Sequence, residues 1–217
     1  MGANTVRDAL LPELQPRFAD GWLHHPLIVG EVRNCDEANR ANDRYRTIKD
    51  RERELRTNPG DGLEYVFIHE RPYRFGALQR IAPQLNNAIH YWKLVGEVWT
   101  DSENIRQHFA GWQRVWSDSR SHKQECMTPK EQVGLEGMPA FFPVWRGVGF
   151  RGQVRGLSWT VDRDIAVWYA QRYDHGRHSK LIHAEVRRRD VHAFFQGRRE
   201  SEIVASHVRI LQIESLR

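Results

Sequence analysis

Cysteine is scarce in this sequence. The 217-residue chain has two, Cys35 and Cys126, too few and too far apart for the disulfide framework of a small secreted domain or for a thiolate zinc cluster. We read both as free thiols in a reducing compartment. The eleven histidines are scattered. The adjacent pair His24–His25 points in two directions and makes a poor metal site, so no metal is expected. Long hydrophobic runs are also missing: no stretch reaches the ~18 apolar residues that span a bilayer. The opening "MGANTVRDALLPELQPRF" carries acidic residues and a proline where a signal peptide has an apolar core. Val6 stands where a myristoylation signal wants Ser or Thr. These absences lead us to expect a cytoplasmic protein with no membrane partner. No internal repeat and no low-complexity tract is evident.

Neither sign of charge dominates. There are 33 Lys and Arg against 28 Asp and Glu, a net charge of +5. That balance permits contact with nucleic acid or an anionic ligand without demanding it. Much of the arginine lies in mixed-sign segments such as "RTIKDRERELR", which suit a solvated helix face stabilised by pairs three or four apart.

The pattern begins helical and turns to strands. Residues 36–57 read as a polar helix stopped by "NPGDG", and "LEYVFIHE" as a short strand or apolar loop. Over 84–99, Leu85, Ile89, Trp92, Leu94, Val95 and Val98 share one helix face. Thr100 with Glu103 is a candidate capping box for the next helix. That helix carries a second stripe of Ile105, Phe109, Trp112, Val115 and Trp116. Tryptophans at helical spacing are core more often than a base-stacking platform. Composition shifts near 127, where Thr128 can cap a short helix with Pro129 in its first turn. Strand patterns follow in "FFPVWRGV", "LIHAEV" (181–186) and "IVASHVRILQI" (203–213). Read as one strand, the last places Ile203, Ala205, Leu211 and Ile213 on one side. The expected class is α+β: a mainly helical region over 1–127, then a mostly antiparallel β core over 128–217 with helices on one side, either as two parts or as one integrated domain.

Three short stretches carry chemistry. In "GLSWTVDRDIAVWYAQRY" (156–173), Thr160 or Asp162 can cap a helix. Its Ile165, Ala166, Tyr169, Ala170 and Tyr173 form the face that packs on a sheet. Gly156 lets the backbone bend or approach a ligand. Ser158 sits between that glycine loop and a helix N-terminus, where free N–H groups favour an anion such as a pyrophosphate; a capping loop without a ligand has the same residues. In "VWRG", Arg146 lies beside Gly147 among apolar neighbours. A buried guanidinium needs a partner, and it matches phosphate or carboxylate. In "QGRRESEIV", Glu200 and Glu202 are two apart and share a side of an extended chain. Two close carboxylates raise one pKa unless a cation intervenes, although solvated edge glutamates show the same spacing.

In order, Arg146 of "VWRG", Ser158 of "GLSWT" and Glu200-Ser201-Glu202 of "RESE" resemble the mono-ADP-ribosyltransferase superfamily, in its arginine–serine–glutamate branch. The resemblance covers roughly 140–213; the preceding helices are only loosely similar to phage- and prophage-type proteins. The family's serine-threonine-serine is here Ser158-Trp159-Thr160. The resemblance implies an ADP-ribosyltransferase-type core and NAD as co-substrate. It implies Glu202 as the cation-stabilising catalytic residue, Glu200 as the group that addresses the acceptor, and Ser158 as a hydrogen-bonding partner of the arginine or the glutamate. Arg146, Gly147, Ser158, Trp159, Thr160 and Tyr169 would bind NAD, with Trp159 or Tyr169 offering a ring to nicotinamide or Trp159 filling the core. It implies a macromolecular acceptor. A glutamate at 200 favours protein arginine, while Arg151, Arg155 and Arg187–Arg189 favour a nucleic-acid base. Water as acceptor would make the chain an NAD glycohydrolase. Small transferases of this type act as toxins, phage effectors or defence proteins, so an antitoxin is a further candidate partner. The competing readings are a non-enzymatic nucleic-acid-binding protein and a phage-particle protein with a degenerate transferase fold.

Overall fold

The structure is a computed structural model and describes residues 3–103, 105–149, 152–172, 178–197 and 200–216. The chain divides into two compact units, Met1–Leu94 and Val95–Arg217. Mixed helix and antiparallel sheet place it in the α+β class.

The first unit holds α1 (Ala3–Ala9), β1 (Phe18–Ala19), β2 (Trp22–His25), β3 (Ile28–Glu31), α2 (Cys35–Thr57), α3 (Leu63–Phe67), α4 (Arg74–Ile81) and the start of α5 (Ala88–Asp101). Helix α2 forms where the sequence places it. The Asn34 side chain accepts from the Glu37 N–H, and Asp36 and Glu37 sit at the positive end of the helix dipole. One expectation fails here. The first five residues of the "LEYVFIHE" stretch become helix α3, with Tyr65 and Val66 both buried; consecutive burial at a helix start does not alternate as a strand would. The region is mainly helical and also holds a small antiparallel sheet, β1–β2–β3. The signal for it was present: Asp20 (φ 51°) and Gly21 (φ 81°) form the left-handed two-residue turn between β1 and β2, whose register pairs Ala19 with Trp22.

The second unit adds α6 (Phe109–Trp116), α7 (Pro129–Glu136), β4 (Phe141–Val148), β5 (Ser158–Thr160), α8 (Arg163–Gln171), β6 (Lys180–Arg187), β7 (Val191–Phe195), β8 (Glu202–Ala205) and β9 (Arg209–Ser215). The sheet order is β7-β8-β5-β4-β6-β9, with antiparallel pairing throughout. Thr128 caps α7 in a capping box with Glu131. Thr100 forms no cap: it lies inside α5, and its hydroxyl donates back to the Gly96 and Glu97 carbonyls at 3.0 and 3.1 Å. The expected strand over 203–213 is two strands. β8 is interior, between β7 and β5, whereas β9 is an edge strand on β6. Ile203 and Ala205 are therefore fully buried, while Leu211 and Ile213 are about half exposed, at 47% and 49%.

The second unit begins well before the composition shift near 127. Trp99, Trp112 and Trp116 explain this, because they pack edge-on and stacked around one another, with centroids 4.9 to 6.4 Å apart. Trp116 also stacks on His192 of β7 at 5.9 Å. Burying large aromatic surfaces against the sheet ties these helices to it, and rules out their use as a base-stacking platform. Tyr173 of the expected helix face and Arg151 lie outside the described residues.

Gly147 fixes how α8 lies on β4. A Cβ there would stand 1.8 Å from the Ala166 carbonyl oxygen and 2.7 Å from the Ala170 nitrogen. Backbone atoms cannot swing aside as a side-chain tip can. Gly147→Ala is expected to destabilise the protein by about 1–3 kcal/mol or more. Gly30→Ala, where a Cβ meets nothing within 4 Å, is the control. Denaturant midpoints check this; equal midpoints for the two variants would contradict the packing.

Candidate functional site

Three neighbouring strands bring the chemistry together. β4 carries Arg146, β5 opens on Ser158, and β8 opens on Glu202. Register does the alignment: Trp145 faces Thr160 across β4–β5, and Thr160 faces Glu202 across β5–β8. The result is a cavity of about 750 Å³, lined by the eight residues that the resemblance assigns to catalysis and NAD binding: Arg146, Gly147, Ser158, Trp159, Thr160, Tyr169, Glu200 and Glu202. Its size lies within the range of small-molecule sites.

Arg146 is held from two sides. Its Nη1 donates to the Ser158 carbonyl at 2.7 Å. Its guanidinium lies against the Gly156 backbone so closely that a Cβ on that glycine would be 2.4 Å from Cζ. Nε is buried and has no hydrogen-bond partner among the described residues. Burial lowers the pKa of this guanidinium, against the opposing pull of Glu202. A cation desolvated this far and only partly paired is poised for an anion.

Glu202 accepts a hydrogen bond from the Ser158 side chain and one from Trp99 Nε1, 3.2 Å from Oε2. Burial pushes its carboxyl pKa up and the neighbouring Glu200 adds to this; the two hydrogen bonds and Arg146 pull the other way. Ser158 thus serves both partners, the arginine through its carbonyl and the glutamate through its hydroxyl.

Glu200 reaches the cavity by a route the sequence did not predict. The chain between the glutamates is not extended: Ser201 has φ 43°, so the simple alternation that puts both carboxylates on one side does not operate. Instead Thr160 Oγ1 donates to the Glu200 carbonyl at 2.7 Å and fixes the loop. Tyr169 contributes its hydroxyl, which donates to Glu200 Oε1 at 2.5 Å. Burial, and then that bond, raise the Tyr169 pKa. The Trp159 ring is core. It is 2% exposed, and its N–H donates to the Gly156 carbonyl, holding the glycine loop. The helix N-terminus offers less than expected, because the Asp162 side chain already accepts from the Asp164 and Ile165 N–H groups.

Trp99 and Trp168 are among the cavity residues that escaped sequence reasoning. Trp99 ends the 84–99 helical segment outside the residues of its apolar stripe, and helical periodicity does not tell which indole N–H meets a carboxylate. Trp168 is 56% exposed, with the Arg172 guanidinium 5.3 Å from its ring and 4.8 Å from that of Tyr169. Its signal was available, since Trp168 of α8 and Arg172 at the helix's C-terminal cap are four apart, off the face that buries Ala166 and Ala170. Of the arginines that favoured nucleic acid, Arg188 donates to the Glu136 and Met138 carbonyls, Arg187 lies over the Phe141 ring and Arg189 pairs with Asp190. These residues and Arg155 do not line the cavity.

Among the described residues no His, Cys, Asp and Glu group is arranged to hold a metal ion, and no helix is long and apolar enough to cross a membrane. No family model, no curated protein and no solved structure matches the chain.

The Arg146–Gly156 contact predicts non-additive stability effects. Gly156→Ala must displace the guanidinium and is expected to cost about 1–3 kcal/mol. In an Arg146→Ala background the same substitution has room and is expected to cost far less. A double-mutant cycle from denaturant unfolding measures the coupling; additive effects would contradict the contact.

Proposed function

We propose that the chain is an NAD-dependent mono-ADP-ribosyltransferase. The convergence of Arg146, Ser158 and Glu202 from three strands on one cavity carries this reading. Under it, the core is of ADP-ribosyltransferase type and NAD is a co-substrate. Arg146 supplies a partly paired cation for the ribose-phosphate portion of NAD. Breaking the nicotinamide–ribose bond develops positive charge on the sugar, as in glycoside cleavage. Nicotinamide leaves neutral, and Glu202 places negative charge beside the forming cation. Ser158 fixes that carboxylate, so little reorganisation is needed during the reaction.

The acceptor nucleophile then forms a bond to the ribose carbon and gives up a proton. Glu200, positioned by Thr160 and Tyr169, suits the guanidinium of a protein arginine. A nucleic-acid acceptor draws less support from the buried helix tryptophans and from Arg187–Arg189, which lie away from the cavity, while the basic charge balance and Arg155 still favour it. Water in place of the acceptor gives NAD hydrolysis at the same residues. A role as a toxin, phage effector or defence protein fits a small transferase of this kind.

Incubation with NAD, with and without a cell lysate, tests the reading through nicotinamide release and labelled product. Glu202→Gln is expected to lower release on the order of 10²–10³-fold with the fold intact; an unchanged rate would refute the role. Label should survive nuclease and be lost to protease. The reaction needs Glu202 ionised, and burial raises its pKa. Activity should therefore rise with pH through a limb above the ordinary glutamate range.

A further inference from the structure

We propose that Trp99 is a positioning residue for Glu202, acting through its indole N–H. The proposal rests on the transferase reading for its catalytic consequence, but its geometry stands alone. Trp99 is 2% exposed. Its ring is wedged edge-on against Trp112 and Trp116, at 4.9 and 5.3 Å. Those two rings pack against the indole, and its single donor meets Glu202 Oε2 at 3.2 Å. A tryptophan that served only as core filling would leave its N–H to a backbone carbonyl or to solvent, as Trp159 does with Gly156. Here the donor is given to the carboxylate with which β8 begins. An N–H cannot accept a proton, so the contact also favours the ionised form of its partner. Helix α5, outside the segment where the family resemblance lies, thereby contributes to the site.

Glu202 is also faced by Ser158 from β5, Arg146 from β4, Glu200 from its own loop and, through charge, Tyr169 from α8. Arg146 and Ser158 favour the ionised carboxylate, and Glu200 opposes it. Losing the indole donor removes one of three groups on the favourable side, so the pKa of Glu202 rises.

The test uses the full chain and needs no substrate. In the wild type, the Trp99 indole ¹H–¹⁵N resonance should titrate with Glu202 as pH falls, and that titration should vanish in Glu202→Gln. A pH-independent Trp99 indole signal in the wild type would overturn the proposal, whether or not the protein turns over NAD. Trp99→Phe keeps the ring and deletes the donor. It should lower kcat about 10-fold with little change in KM, and move the acid limb of the rate profile upward by about one pH unit. A folded Trp99→Phe variant with an unmoved limb would make Trp99 merely structural. Absence of NAD turnover in the wild type, with the indole titration present, would instead sink the transferase reading and leave the contact.

Discussion

The site depends on holding a desolvated carboxylate and a desolvated guanidinium in one wall without letting them neutralise each other completely. Arg146 donates to a backbone carbonyl, and Glu202 accepts from a hydroxyl and an indole. Each charge is fixed by neutral groups, so each keeps part of its field for a ligand. A direct ion pair would bury both and spend that field internally. Ser158 makes the separation workable, since its two ends serve the two charges. Antiparallel register then sets the spacing, because β4, β5 and β8 are consecutive neighbours in the sheet.

The rest of the second unit serves that wall. Gly147 lets α8 approach β4 to backbone contact, and this brings Tyr169 within reach of Glu200. Gly156 makes room for the guanidinium, and Trp159 ties the glycine loop down. Thr160 ties the opposite loop through the Glu200 carbonyl. The tryptophan cluster of α5 and α6 packs around Trp99, which lines the cavity. Rigid supports of this kind keep polar groups oriented before a ligand arrives, which is the condition for electrostatic stabilisation of a transient charge.

Periodicity made the long elements legible. Helix α2, the Thr128 cap of α7, and strands β4 and β6 lie where the pattern placed them, because local propensity and burial agree there. Legibility failed where tertiary packing chose between local options. Leu63–Phe67 became helix rather than a short strand or apolar loop. The 203–213 run broke into an interior and an edge strand, since β-branched composition does not say which neighbour a strand will find. At the site, residue types were readable but not their partners. The motif spacing pointed to Arg146, Ser158, Glu200 and Glu202, and all four line one cavity. That Tyr169 gives its hydroxyl to Glu200, and that Trp99 offers a donor, depends on side-chain directions fixed only by the fold.

The most direct measurement is a crystal structure with a non-hydrolysable NAD analogue. The account predicts the analogue in the cavity, its phosphates against Arg146 and its nicotinamide ribose beside Glu202. An analogue bound elsewhere, or a cavity left unfilled at saturating concentration, would contradict it.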